Sequence, residues 1–394
     1  MNAHIHVLDS TERSARRGLR MTPLTRQELD PLETPAYVFD AAVVRARHAA
    51  LRAALGTQLV VSLKANSLAD LLSRCVLQFA DGIELASIGE LGTAVGRVSA
   101  TRFVNNPTMD DEFLKAAAAS NCVFIVDSME QARRIAALPA ARVRRRALLR
   151  LNAGVARGIA RPDHFGMLTD EAVAAGTLLR AADCNVYGVH AFGGSHTFSA
   201  DSLAHLGAVR GLVDELARRL GGLDFVNLGG GFAEDWEDRP HEFARYRAAL
   251  APLAERYTLA HESGRGIFAR AGVFVTRVVA TKQLAQRRIV ACDGGMAQNF
   301  LLAATEGLMR KHRKPLVVPP PEEGTETFEL QFVGSSCSRQ DVIGADSAAR
   351  GVPRVGDVCV FGDCGAYNSS YTVSNFLSLP AARLYLRAEP AVDA

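Results

Sequence analysis

The run Leu59-Val60-Val61-Ser62-Leu63-Lys64 is short and mostly apolar, and it closes on a cation. It reads as a buried strand with a charged far end. Residues 41–55 before it are rich in Ala, Leu and Arg with helical period, and the two textures then alternate down the chain. Further strand candidates fall at 82–86, 102–105, 122–126, 147–151, 186–191, 225–228 and 258–262, each preceded by a helical segment, the last at 241–256. Eight such units over residues 36–270 are what a (β/α)8 barrel requires. A doubly wound open sheet is the competing reading, but it rarely runs to eight regular units. The expected fold class is α/β, a TIM-type barrel followed by a mostly-β domain.

The second part of that expectation comes from a change of texture after about residue 270. Segments 272–280, 288–293, 327–333 and 357–361 look like strands separated by Pro, Gly and charged turns, and only 300–309 suggests a helix. The expected boundaries are 1–34 for an N-terminal segment packing on the β domain, 35–270 for the barrel and 271–394 for the β domain. A chain of 394 residues suits one large and one smaller domain.

Composition excludes several functions. The net charge of +3 is small, and Lys and Arg are dispersed, so nothing points to nucleic acid. The one dense cluster, Arg142 with Arg144, Arg145 and Arg146, reads as a solvated connector rather than a phosphate-binding patch. No apolar run approaches the roughly 20 residues that span a bilayer. The start of the chain, with His4, His6, Asp9 and Glu12, lacks the order of a signal peptide. The seven cysteines are scattered, without zinc-like spacing. A cytoplasmic protein with no structural metal and no membrane partner is expected.

In a barrel of this kind, residues at the C-terminal ends of the strands face the functional site. Lys64 at such an end is either a snorkelling surface residue or an inward amine. A partly desolvated amine has a lowered pKa and can attack an aldehyde. The sixth strand runs into Phe192-Gly193-Gly194-Ser195-His196 and the seventh into Gly229-Gly230-Gly231. Each cluster alone is a tight turn; together, on adjacent strands, they suit a phosphate cradled by backbone N–H groups. The eighth strand ends in His261-Glu262-Ser263-Gly264-Arg265. Glu262 either pairs with Arg265 or faces a bound cation such as a protonated pyridine nitrogen. An amine, two phosphate loops and a carboxylate on one rim are the parts that a pyridoxal 5'-phosphate site needs.

With these residues in view, the chain resembles the fold-type III pyridoxal-phosphate decarboxylases, the alanine-racemase-like family that includes diaminopimelate and ornithine decarboxylases. The resemblance extends over roughly residues 34–380. It is carried by Val61-Ser62-Leu63-Lys64-Ala65-Asn66, Gly82-Ile83-Glu84-Leu85-Ala86-Ser87 with Gly89-Glu90-Leu91, His164-Phe165-Gly166, Gly229-Gly230-Gly231-Phe232, Glu262-Ser263-Gly264-Arg265, Cys337 with Asp341, and Gly365-Ala366-Tyr367. It implies that Lys64 bonds the cofactor as a Schiff base and that Glu262 pairs with the ring nitrogen. Ser195, Gly230, Gly231, Arg265 and Tyr367 would hold the phosphate, with Glu84, Arg150, Phe192 and Gly264 also binding the cofactor. Cys337 would protonate the carbanion after carbon dioxide leaves. In the family that cysteine crosses from a neighbouring subunit, so a homodimer with shared active sites is implied. Ser338 and Asp341 would lie towards the substrate, a small molecule derived from an amino acid.

The departures bear on the substrate. The family commonly places a histidine over the cofactor ring, where this chain has Phe192, which can still stack. Diaminopimelate decarboxylases carry an acid after the catalytic cysteine, and an arginine and a tyrosine shortly after an Asp-x-Gly-Met sequence. Here Ser338 follows Cys337, and Asp293-Gly294-Gly295-Met296 continues into Ala297-Gln298-Asn299-Phe300-Leu301-Leu302-Ala303-Ala304. The expected function is decarboxylation of an amino acid or amino-acid conjugate, siderophore or other secondary-metabolite biosynthesis being the expected setting. Diaminopimelate decarboxylation is the alternative, then amino-acid racemisation, which Cys337 in its motif opposes. A non-catalytic relative would be expected to have lost Lys64 or Cys337.

Overall fold

The computed structural model describes residues 18–140, 142–196, 198–303, 312–373 and 375–388. The first strand, β1 (Ala36–Phe39), pairs with segments far down the chain. The next eight strands close on themselves: β2 (Gln58–Ser62), β3 (Ile83–Leu85), β4 (Arg102–Val104), β5 (Val123–Val126), β6 (Arg146–Leu151), β7 (Asn185–Ala191), β8 (Phe225–Asn227) and β9 (Thr258–Ser263). All neighbours are parallel, and β9 meets β2 with Gln58 opposite Ala260 and Val61 opposite Ser263. This is the expected (β/α)8 barrel, and most of its strands lie within two residues of the expected positions. The first differs in a way that matters. It ends at Ser62, and Lys64 sits in a single 3-10 turn, Leu63–Ala65.

Ile83–Leu85 and Val123–Val126 form strands because short runs of apolar β-formers are bounded by turn-forming neighbours, and the helices between start on polar caps. Ser87, Asp110 and Ser128 accept from the backbone N–H groups of Glu90, Phe113 and Gln131, starting Ile88–Ala94, Asp111–Ala119 and Met129–Ala136. Each cap contributes about 1 kcal/mol and sets where the chain leaves the rim. Inside the barrel Val60, Phe103, Val123, Ile125, Leu148, Phe225 and Ala260 pack as one buried cluster. Each large member contributes about 1.5–3 kcal/mol by leaving water, so the rim residues stand on a filled core.

The chain divides into two compact units, Arg47–Ile267, and Met1–Ala46 with Phe268–Ala394. The second unit is built on a sheet of β10 (Gly272–Leu284), β11 (Arg287–Cys292), β12 (Leu316–Val318), β13 (Phe328–Val333), β14 (Val342–Ala349), β15 (Val358–Phe361) and β16 (Arg383–Leu386). Their order is β12-β15-β10-β11-β13-β14, and β1 pairs antiparallel with β10 and parallel with β16. Leu24 and Leu29 of the N-terminal segment join Val38, Val275, Val358 and Val360 in its core. Of the helix expected at 300–309, Phe300–Ala303 is present, and 304–309 lies outside the described residues. Among the described residues no helix is long and apolar enough to cross a membrane.

Candidate active site

Lys64 Nζ lies 2.9 Å from both carboxylate oxygens of Glu84 on β3. The glutamate is completely buried while the lysine side chain is 44% exposed, so the amine is open to a reactant from one side. Behind this pair the polar contacts continue around the rim. Asn105 Nδ2 donates to Glu84 Oε1 at 3.1 Å, and Arg150 Nη1 donates to Asn105 Oδ1 at 3.2 Å and to Asp127 Oδ1 at 3.0 Å. Asp127 Oδ1 also accepts from the Gly166 N–H at 3.1 Å, and the Arg150 guanidinium lies 4.3 Å from the centre of the Phe165 ring. Buried charges persist only when paired and hydrogen-bonded. Here residues at the ends of successive strands pair with one another, which fixes the backdrop of Lys64.

A second carboxylate stands on β9. Glu262 is buried, accepts from Asn227 Nδ2 on β8 at 2.9 Å, and lies 3.3 Å from His190 Nε2 on β7. Burial alone would push its carboxyl up, but His190, the Lys64 ammonium and the Asn227 amide hold it well below the usual carboxylate range. The His190 contact is close but poorly aligned, and among the described residues both ring nitrogens lack an in-line hydrogen-bond partner. A histidine that is 1% exposed and so placed leaves polar capacity at Glu262 for a further group.

The glycine-rich loops flank that carboxylate. After β7 the chain runs through Phe192, Gly193 and Gly194 to Ser195, which is exposed. After β8, Gly229 and Gly231 take φ of +68° and +107°. A Cβ on Gly229 would lie 2.3 Å from the Ala191 carbonyl oxygen, and one on Gly230 would lie 2.9 Å from that of Glu262. Only glycine permits this approach of three strand ends. Gly264 is buried and Arg265 half-buried at the start of helix Arg265–Phe268. A cradle of bare backbone, a buried anionic group with spare polar capacity and an accessible amine fit a cofactor with a phosphate, a basic ring nitrogen and an aldehyde. Pyridoxal 5'-phosphate has these three parts.

Cys337, Ser338, Asp341 and Tyr367 belong to the other unit. Cys337 is exposed on the loop between β13 and β14. Asp341 lies inside that loop, its oxygens accepting from the Met296 N–H at 2.7 Å and the Ser336 N–H at 2.9 Å. Ser338 Oγ accepts from the Gln340 N–H at 3.2 Å. Tyr367 takes φ of +67°. In the stretch after Asp293, Gln298 and Asn299 are buried. Gln298 accepts from the Gly295 N–H and donates to the Pro380 carbonyl, and Asn299 contacts Cys364 and Asn368.

His190, Asn227, Asn105 and Asp127 complete the site without having been singled out in the sequence. The available signal was a lone polar residue at the end of each apolar strand, which acquires meaning only when the barrel closes and brings those ends together.

Comparison with known proteins agrees with this geometry. Residues 41–276 match the family described as "Pyridoxal-dependent decarboxylase, pyridoxal binding domain". The chain is 30% identical to diaminopimelate decarboxylase of Deinococcus radiodurans, over 88% of each chain. It is 27% identical to L-glutamyl-[BtrI acyl-carrier protein] decarboxylase of Niallia circulans, over 91% of this chain and 89% of that one. It is also 27% identical to 2-[(L-alanin-3-ylcarbamoyl)methyl]-2-hydroxybutanedioate decarboxylase of Staphylococcus aureus, over 82% and 86%. The fold is that of lysine decarboxylase from Selenomonas ruminantium, with a TM-score of 0.80 at 21% identity over 94% and 98% of the two chains.

Proposed function

The chain belongs to the pyridoxal-dependent decarboxylases, and within that family we propose that it removes the α-carboxylate of an amino-acid conjugate in siderophore or other secondary-metabolite assembly. The observation that carries this reading is the stretch after Asp293. Where diaminopimelate decarboxylases place an arginine and a tyrosine against the far end of the substrate, Gln298 and Asn299 have side chains engaged within the protein. Ser338, not an acid, follows Cys337. Residues 297–304 carry no charge to match a zwitterionic far end, and unmatched polar groups are strongly rejected by a site that desolvates them. Two relatives support a conjugate, one named for an L-glutamyl group on an acyl-carrier protein and one for a carbamoyl-linked L-alanyl group. The 30% identity to a diaminopimelate decarboxylase favours the second reading, lysine biosynthesis.

Pyridoxal 5'-phosphate, when bound, supplies the electron sink for the pair left behind as carbon dioxide departs. In our reading Lys64 would hold the cofactor covalently, its Nζ kept in place by Glu84. Glu262 would keep a proton on the ring nitrogen, with Asn227 orienting that carboxylate through its 2.9 Å hydrogen bond and His190 lying close beside it. Ser195, Gly230, Gly231, Arg265 and Tyr367 would hold the phosphate, and Gly264, Phe192 and Arg150 would contribute to the rest of the cofactor site. Cys337 Sγ delivers a proton to the substrate's α-carbon from a second copy of the chain, so the working unit is a homodimer. Asp341 holds the loop that presents this thiol.

The test is carbon dioxide release by purified protein with pyridoxal 5'-phosphate, offered carrier-bound amino acids, citryl-diamino acid conjugates and meso-diaminopimelate. Release from a conjugate is expected; release from meso-diaminopimelate alone would refute the substrate reading. Cys337→Ala should slow product formation about a hundredfold, within the range of a general acid, and an unaffected rate would remove Cys337 from the chemistry.

A further inference from the structure

Behind the glycine-lined loops a single guanidinium ties two of them together. Arg47 is completely buried. Its Nε donates to the Gly266 carbonyl oxygen at 2.8 Å, and its Nη2 donates to the Glu234 carbonyl oxygen at 2.8 Å. Nη1 and Nη2 reach the two carboxylate oxygens of Glu237 at 3.1 and 3.3 Å. Trp236 Nε1 donates to the same Gly266 carbonyl at 2.8 Å, and the guanidinium carbon lies 5.4 Å from the indole ring centre. Glu234, Trp236 and Glu237 continue the loop that leaves β8 through Gly229-Gly230-Gly231. Gly266 continues the one that leaves β9 through Gly264 and Arg265.

A fully desolvated cation is costly, and this one is matched to a bidentate carboxylate and two main-chain carbonyls in a planar fork that lysine cannot reproduce. With two donors, the Gly266 carbonyl has both lone pairs occupied, so the direction of its peptide plane is set. We propose that Arg47 is a positioning residue for the cofactor's phosphate, fixing the spacing between the loops after β8 and β9 so that both engage one phosphate group. This rests on the reading of those loops as the phosphate site given above. Arg47 itself touches neither phosphate nor substrate. It acts through the Gly266 and Glu234 carbonyls.

The experiment is equilibrium binding of pyridoxal 5'-phosphate, and separately of pyridoxal, to the full chain stripped of cofactor, followed by the visible absorbance band. Arg47→Lys should raise the Kd for pyridoxal 5'-phosphate by about tenfold, as when an outer partner of a metal ligand is lost, and leave that for pyridoxal unchanged. Trp236→Phe removes one donor to Gly266 and leaves no charge unmatched. It should shift the same Kd in the same direction by about threefold, and it decides the matter if Arg47→Lys does not fold. Equal losses for both ligands, or no loss for either, would overturn the positioning role. A parent protein that binds pyridoxal as tightly as its phosphate would instead overturn the reading of the loops as a phosphate site.

Discussion

Asp341→Asn is the most revealing single change in the β unit, because the carboxylate is 2% exposed and each of its oxygens has one backbone partner. Oδ1 accepts from Met296 N–H at 2.7 Å and Oδ2 from Ser336 N–H at 2.9 Å. The surrounding backbone leaves no slack, since a Cβ on Gly295 or Gly334 would come within 2.4 or 2.3 Å of Oδ1. An asparagine keeps one acceptor and turns an NH2 group towards an N–H, so one charge-assisted bond is lost and a donor faces a donor. Bonds to charged groups contribute about 1.5–3 kcal/mol, and we take about 2 kcal/mol for the local loss. Amide exchange of peptides containing Met296 and Ser336 should then quicken by about thirtyfold, at about 1.4 kcal/mol per factor of ten. If the loop presents Cys337, kcat should fall by at least about tenfold, the equivalent of about 1.4 kcal/mol in the barrier. Cofactor affinity should not change, because Asp341 is not among the residues read as holding the cofactor. Exchange at those amides unchanged from the parent would refute the structural part, and faster exchange with an intact kcat would detach the loop from catalysis.

Lys64→Ala should abolish the visible band that forms with pyridoxal 5'-phosphate and that borohydride removes; a variant that kept the band would place the cofactor on another amine. Glu262→Gln should lower kcat by about ten- to a hundredfold, the worth of about 1.5–3 kcal/mol for a bond to a charged group, and an unchanged kcat would mean that Glu262 does not face the ring nitrogen. Stability should fall as pH is lowered below about 6.5. Burial pushes His261 down to about 3 and His205 down to about 4, from an ordinary 6.5. The unfolded chain therefore binds more protons between those values, and stability rises with pH there. His261 is held between Thr57 Oγ1 at 2.8 Å and Tyr246 OH at 2.9 Å. In chemical denaturation from pH 7 to pH 4, His261→Gln should flatten the decline, and an equally steep curve would refute that assignment.

The barrel was legible because its signals are local: each apolar run is bounded by residues that break it, and polar residues such as Ser87, Asp110 and Ser128 start the next helix. β1, β12, β14 and β16 were not. Val342–Ala349 mixes Asp, Ser and Ala and is half exposed, so it lacks alternation. Arg383–Leu386 becomes a strand by pairing with Ala36–Phe39, a partner that no window of sequence contains. Lys64, Glu84, Arg150 and Glu262 stood out as charges among apolar neighbours. Asn105, Asp127, His190 and Asn227 did not, since an isolated polar residue at a strand end ordinarily marks a turn.

The pairing of β1 has a consequence for biosynthesis. Tyr37 lies opposite Phe274 on one side and Leu384 on the other, while every barrel strand has been translated by Ser263. At about 5–20 residues per second, the apolar edge at Ala36–Phe39 waits on the order of tens of seconds for its first partner and longer for its second. A nascent chain halted before β10 would carry a finished set of barrel strands beside an orphaned sticky one, the sort of edge that chaperones shield and aggregates recruit. Deletion of residues 383–388 would make half of that transient condition permanent.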